Sequence, residues 1–215
     1  MSNRNTLIIV IGIITVSLLA GLLLWNQLPD SMASHWGMDD QVNGHMSKLW
    51  GVLMPPLLSL GILTLFFIIP VIDPLKANIQ TFRKFFNTFI ILISLFLAYV
   101  YGLSLAWNLG YTDFKMSRAM LPAMGLLFVF MGMIIGKARR NYFIGIRTPW
   151  TLSSDKVWDE THRVGGKLFS AAGAITMLGI FFPSYAEWFL ILPLIGTTGF
   201  SVVYSYILYQ REVKA

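Results

Sequence analysis

The sequence predicts an all-α integral membrane protein with six transmembrane helices and both termini in the cytoplasm. Three observations carry this. Of the 215 residues, 56% are hydrophobic and 12% charged, against roughly 25% charged in an ordinary soluble domain. Six stretches, 7–25, 49–72, 85–107, 119–136, 168–182 and 188–209, contain no Asp, Glu, Lys, Arg or His, and most have the length a helix needs to cross a hydrocarbon core of roughly 30 Å. Of the 16 Lys and Arg, all but Lys48, Lys115 and Arg118 fall on one side when the chain is threaded through these spans. That bias marks the cytoplasmic face.

Helices are expected rather than strands, because the runs are long and every backbone polar group at membrane depth needs a partner within its own segment. The first run is read as a retained span, since only Arg4 precedes it and "LLLWNQLPD" offers no small-residue cleavage site. The second opens on "GVLMPPLLSLG", with Pro55 and Pro56 placed in its first turns, where a missing donor costs least. Pro122 and Pro193 stand near the starts of the fourth and sixth spans. The fifth, 168–182, is the shortest, and the uncharged residues 164–166 can extend it. Trp25, Trp50, Trp107 and Trp188 fall at span ends, the depth amphipathic rings prefer. The chain divides into an N-terminal two-helix region, 1–84, with an outer loop at 26–48, and a C-terminal four-helix region, 85–215, with a cytoplasmic loop at 137–167.

Composition excludes several functions. The absence of Cys removes disulfides, thiol catalysis and thiolate ligands. The net charge of +6 lies mostly beside the membrane, where anionic lipids attract it, so membrane lipids are the expected partners and no direct nucleic-acid contact is needed. No span core holds an ionisable residue of the kind on which ion-coupled transport depends. Asn87, Ser94, Ser104, Thr197, Thr198, Ser201 and Ser205 either line a polar path or make the hydrogen bonds and close packing usual between membrane helices.

The outer loop, "NQLPDSMASHWGMDDQVNGHMSK", offers His35, Asp39, Asp40 and His45. Imidazoles and carboxylates are ligands for zinc or a similar divalent ion, but the spacing fits no helical metal motif. A folded cap held by Trp36 and the histidines competes with that reading, and no cofactor is expected. "WGMDDQVNGHMSK" reads as a hairpin with Asn43–Gly44 at a tight turn. Lys48 pairs with lipid headgroups or with an acid such as Asp39 or Asp40, or contacts a ligand.

The inner loop, "RRNYFIGIRTPWTLSSDKVWDETHRVGGK", separates into parts. Gly145 lets the chain turn, and Pro149 holds Thr148 extended. Thr151, Ser153 or Ser154 caps a short helix through "SDKVWDETHRVG", with Asp155 in its first turn. Val157, Trp158 and Thr161 form a partly apolar stripe and Lys156 faces Glu160. An amphipathic helix on the inner membrane surface follows, with Trp150 and Trp158 in the interface. His162 near Asp159 is no catalytic pair without a nucleophile and a cleft, so no catalytic residues are assigned. Arg147, beside a glycine turn, forks onto a phosphate or carboxylate, binds headgroups or pairs with Glu160.

These two loops carry a resemblance. "NYFIGIRTPWTLSSDKVWDETHRVGGKLF" resembles the signature of the SdpI family of bacterial membrane proteins, and the outer loop resembles an N-terminal domain of unknown function often found with it. The inner signature falls on Asn141, Gly145, Arg147, Thr148, Pro149, Trp150, Thr151, Trp158, Thr161, His162, Gly165, Gly166 and Lys167. The outer falls on Pro29, His35, Trp36, Gly44 and Lys48. The resemblance predicts a glycine shortly before Gln41, where this chain has Asp40. It implies a multi-pass protein of the bacterial plasma membrane that gives immunity to a secreted peptide toxin and signals to a cytoplasmic repressor. The outer binding residues are then His35, Trp36, Asp39, Asp40, His45 and Lys48. Two rivals remain: a membrane enzyme or metal site built on the outer histidines and aspartates, and a transporter of small solutes or lipids.

Overall fold

A computed structural model describes residues 2–37 and 39–214. Among the described residues, six helices are long and apolar enough to cross a membrane. They are α1 (Asn3–Leu23), α2 (Lys48–Ile72), α4 (Arg83–Asn108), α5 (Met116–Ile135), α7 (Asp155–Leu178) and α8 (Trp188–Val213). Two short helices, α3 (Lys76–Thr81) and α6 (Pro149–Ser153), lie on the connections at one end of the bundle. Strands β1 (Ser31–Trp36) and β2 (Val42–Ser47) form an antiparallel hairpin at the other. Each charge-free run becomes a span, and among the described residues the hairpin is the one departure from an all-helical chain.

Helix α2 runs through Pro55, Pro56 and Pro70. Proline at 56 removes the N–H that would bond the Val52 carbonyl one turn back. The hydroxyl of Tyr101 on α4 donates to that carbonyl at 3.2 Å, so the backbone defect becomes a contact between spans. Tyr101, Val52, Leu105, Leu28 and Met32 form a buried cluster at the hairpin end. A second cluster, around Val10, Ile79, Phe86, Ile90 and Trp158, fills the opposite end.

Helices α5 and α7 cross with their backbones in close approach. Gly125 faces Gly173, and Gly132 faces Gly166, seven residues along each helix. A Cβ on Gly166 would stand 2.7 Å from the Gly132 carbonyl oxygen, and one on Gly125 would stand 2.6 Å from that of Gly173. Backbones meet there as small residues allow in membrane helices.

The structure corrects three local expectations. The segment "SDKVWDETHRVG" is no separate surface helix: it is the first half of α7, continuous with the fifth span. Val157, Trp158, Thr161, His162, Gly165, Gly166 and Phe169 repeat every three to four residues and are buried, so one stripe packs inward while Lys156, Asp159, Arg163 and Lys167 stay exposed. Trp158 is accordingly core rather than interfacial, and Trp150 leans on Tyr206 of α8, ring centroids 5.1 Å apart. Glu160 pairs with Arg163, not with Lys156 or Arg147. In the hairpin, the turn spans Gly37 to Gln41, closed by the Gly37 N–H on the Gln41 carbonyl (2.8 Å). Asn43 and Gly44 lie within β2.

Candidate functional site

The hairpin is fixed to the bundle at several points. Asn108, the last residue of α4, accepts from the Ala33 N–H (2.7 Å) and donates to the Ala33 carbonyl (3.0 Å), completing the exposed edge of β1 as another strand would. Met32 is buried against Gly51 of α2. Trp36 meets Trp107 edge to face at 5.7 Å. Asp40 is the only described non-glycine residue with positive φ (60°), so the position where the resemblance predicts glycine is one whose backbone favours it. Asp tolerates this conformation better than most residues. Its carboxylate accepts from the N–H (2.8 Å) and hydroxyl (2.7 Å) of Ser117, in the first turn of α5, satisfying a donor that the helix leaves unpaired.

The outer candidates therefore separate. Asp40 and Trp36 hold the hairpin down. Lys48 pairs with Asp30 at 3.0 Å, not with Asp39 or Asp40, and lies over the Trp25 ring. His35 bonds Asn43 across the strands, and Asp39 accepts from the Gln41 N–H at 3.1 Å. His35, Asp39 and His45 are exposed. Among the described residues no three His, Asp or Glu side chains gather as metal ligands would, so the four outer candidates do not converge.

At the other end the loop between α5 and α7 is folded on buried polar atoms. Asn141, with no exposed surface, accepts from the N–H groups of Phe143 (2.9 Å) and Ile144 (2.6 Å). It also donates to the carbonyls of Arg139 (2.8 Å) and Ile144 (2.9 Å). Asp73, buried just beyond α2, accepts from Tyr142 N–H (2.9 Å) and Leu75 N–H (2.6 Å). Asn78 of α3 donates to the Arg140 carbonyl at 2.7 Å. Thr148 and Thr151 form a reciprocal cap on α6, and the Thr148 hydroxyl reaches Ser205 of α8 at 3.1 Å. Ser154, not Thr151 or Ser153, caps α7.

His162 joins loop to helix. Its ring stacks on Trp158 with centroids 3.9 Å apart. Ile146 donates its N–H to Nε2 at 2.9 Å, while Nδ1 donates to the Trp158 carbonyl at 2.8 Å. The two bonds select the neutral ring protonated on Nδ1. Trp158 donates Nε1–H to the Ala138 carbonyl at 2.8 Å. Gly145, at φ +119°, passes so close that any Cβ would strike Nε2 of His162. Gly165 likewise makes room for Ile146, and Thr161 is buried. Of the signature, Arg147, Pro149 and Lys167 are exposed, and the Arg147 Nη1 donates to the Tyr142 carbonyl at 2.8 Å. Pro149 opens α6. Asp159 is held by Arg139 at 2.7 Å, apart from the buried bonds of His162.

Beside this loop, and between spans, lies a partly open cavity of about 420 Å³. Phe66, Phe86, Phe89 and Phe169 give it aromatic walls, and residues 143–148 line it from the loop. Sequence reasoning missed Asn108, Asp73 and the cavity itself.

Fold and loops together define a multi-pass membrane protein, and the matches that follow support the bacterial plasma membrane as its location. Residues 137–206 match the SdpI/YfhL protein family, and residues 12–60 match a domain of unknown function (DUF1648). The resemblance read from the two loops is thus borne out. The chain is similar to "Immunity protein SdpI" of Bacillus subtilis (strain 168), with 25% identity over 205 residues, covering 95% of this chain and 96% of that protein. No solved structure matches it.

Proposed function

We propose that this chain is a membrane immunity protein that gives its cell resistance to a secreted, membrane-active peptide. Similarity to an immunity protein along nearly the whole length of both chains carries the reading. The basic-residue bias supports an orientation with both termini and the α5–α7 loop in the cytoplasm and the hairpin outside. In that orientation the exposed His35, Asp39 and His45 face the peptide. Asn108 and Asp40 tie the same hairpin to α4 and α5, so a load on it reaches the bundle. On the inner side, Arg147 and the charged face of α7 are the groups a cytoplasmic repressor would meet. Signalling also requires two bundle packings of similar free energy, between which the bound peptide selects.

Binding is the direct test. Purified protein in nanodiscs would be titrated with a panel of secreted membrane-active bacterial peptides, alongside empty nanodiscs and the His35→Ala/His45→Ala double variant. Saturable binding of one peptide that exceeds the empty discs and weakens in the variant supports the reading. Binding equal to that of empty discs for every peptide removes its basis.

A further inference from the structure

The cavity beside the loop combines an apolar interior with an uncommitted cation. Its volume, about 420 Å³, lies in the range of about 300–1,000 Å³ typical of small-molecule sites. Phe66 and Phe86, which meet edge to face at 5.3 Å, and Phe89 and Phe169 supply its apolar walls. Arg147 borders it. Arg139, Arg140 and Arg163 each have a carboxylate partner, in Asp159, Asp155 and Glu160. Among the described residues, Arg147 has no carboxylate within 4.0 Å, and one of its five N–H groups is bonded, to the Tyr142 carbonyl. A guanidinium left free in this way accepts a carboxylate or phosphate in a forked geometry.

We propose that the cavity is a binding site for one anionic amphiphile, a single apolar tail lying among the phenylalanines and a carboxylate or phosphate head resting on Arg147. A free inorganic anion would satisfy the arginine and leave the aromatic space empty. A neutral lipid tail would fill the space and leave the charge unmet. The amphiphile answers both, and it reaches the site from the bilayer through the open side of the cavity. Thr198 of α8, exposed and part of the lining, offers a place to reduce the volume without touching the loop. This inference does not depend on peptide immunity.

Equilibrium binding of radiolabelled oleate to delipidated full-length protein in neutral detergent tests it. Oleate should saturate at one per chain. Methyl oleate, with the same tail and no charge, should bind about tenfold more weakly or worse, the scale of a lost charged hydrogen bond. Arg147→Ala should lose a similar factor while keeping the wild-type elution volume, and Thr198→Phe should lower the bound fraction by crowding the tail. Inorganic phosphate should not displace the label. Unsaturable uptake, equal affinity for oleate and its methyl ester, or displacement by phosphate alone would each overturn the proposal. The ester and phosphate arms use unaltered protein, so they decide the matter even if a variant misfolds.

Discussion

Asp40 and Ser117 stand 77 residues apart in sequence, yet the Asp40 carboxylate takes both the N–H and the hydroxyl of Ser117. A side chain in the hairpin turn thereby caps a membrane span. The arrangement depends on a backbone conformation, φ 60°, that costs most L-residues about 1–2 kcal/mol.

Two effects at Asp40 can be separated by substitution. Asp40→Gly relieves the backbone and loses the cap, whereas Asp40→Ala loses the cap and keeps the strain. Both should destabilise the protein, Asp40→Ala by about 1 kcal/mol more. Hydrogen exchange at the Ser117 amide should accelerate in both, read by mass spectrometry in nanodiscs. Protection equal to wild type would show that the cap does not hold.

The Tyr101 hydroxyl matters because Pro56 leaves the Val52 carbonyl without its helical donor. Tyr101→Phe should cost about 1 kcal/mol. In a Pro56→Ala background the new backbone N–H takes the carbonyl, and the same change should cost markedly less. A double-mutant cycle on detergent-unfolding stability measures the difference. Additive costs would disconnect the two residues.

Glycine sensitivity should follow the α5–α7 crossing. Gly166→Ala places a methyl 2.7 Å from the Gly132 carbonyl oxygen. It should lower the melting temperature by several degrees, through overpacking of about 1–3 kcal/mol. Gly196→Ala and Gly199→Ala enter open space on α8 and should be neutral or mildly stabilising. Static light scattering during a thermal ramp ranks the three.

Gly145→Ala faces strained backbone and a collision with His162. A loss of about 2–4 kcal/mol is expected, together with a change in the imidazole nitrogen shifts of His162 as its bond from Ile146 breaks. Unchanged ring shifts in a folded variant would mean that the loop does not rest on the histidine.

The six spans were legible because charge is expensive in hydrocarbon and its absence marks a helix directly. The loops were less so, because local signals competed with packing. Asn43–Gly44 has strong turn chemistry, but burying Met32 against Gly51 fixes the register that puts Gly44 beside His35, and the turn moves to Gly37–Gln41. The charges in "SDKVWDETHRVG" suggested a surface helix. Its inward stripe is complete only when continued through Gly165, Gly166 and Phe169 into the span. Asp73 and Asn108 gave no signal in the sequence, because the bonds by which they tie segments together reach the backbone of Tyr142 and Ala33, 69 and 75 residues away. No local pattern announces such a partner.

Protection by this protein should depend on the docked hairpin. Bacteria sensitive to a secreted membrane-active peptide would express the wild type, Asn108→Ala or His35→Ala at matched membrane abundance, and survival would be measured against peptide dose. The wild type should shift survival to a higher lethal dose, and both variants should shift it less: Asn108→Ala by loosening β1 from α4, His35→Ala by removing an exposed contact. Survival with the wild type no better than in cells carrying an empty vector, despite normal insertion, would rule this out.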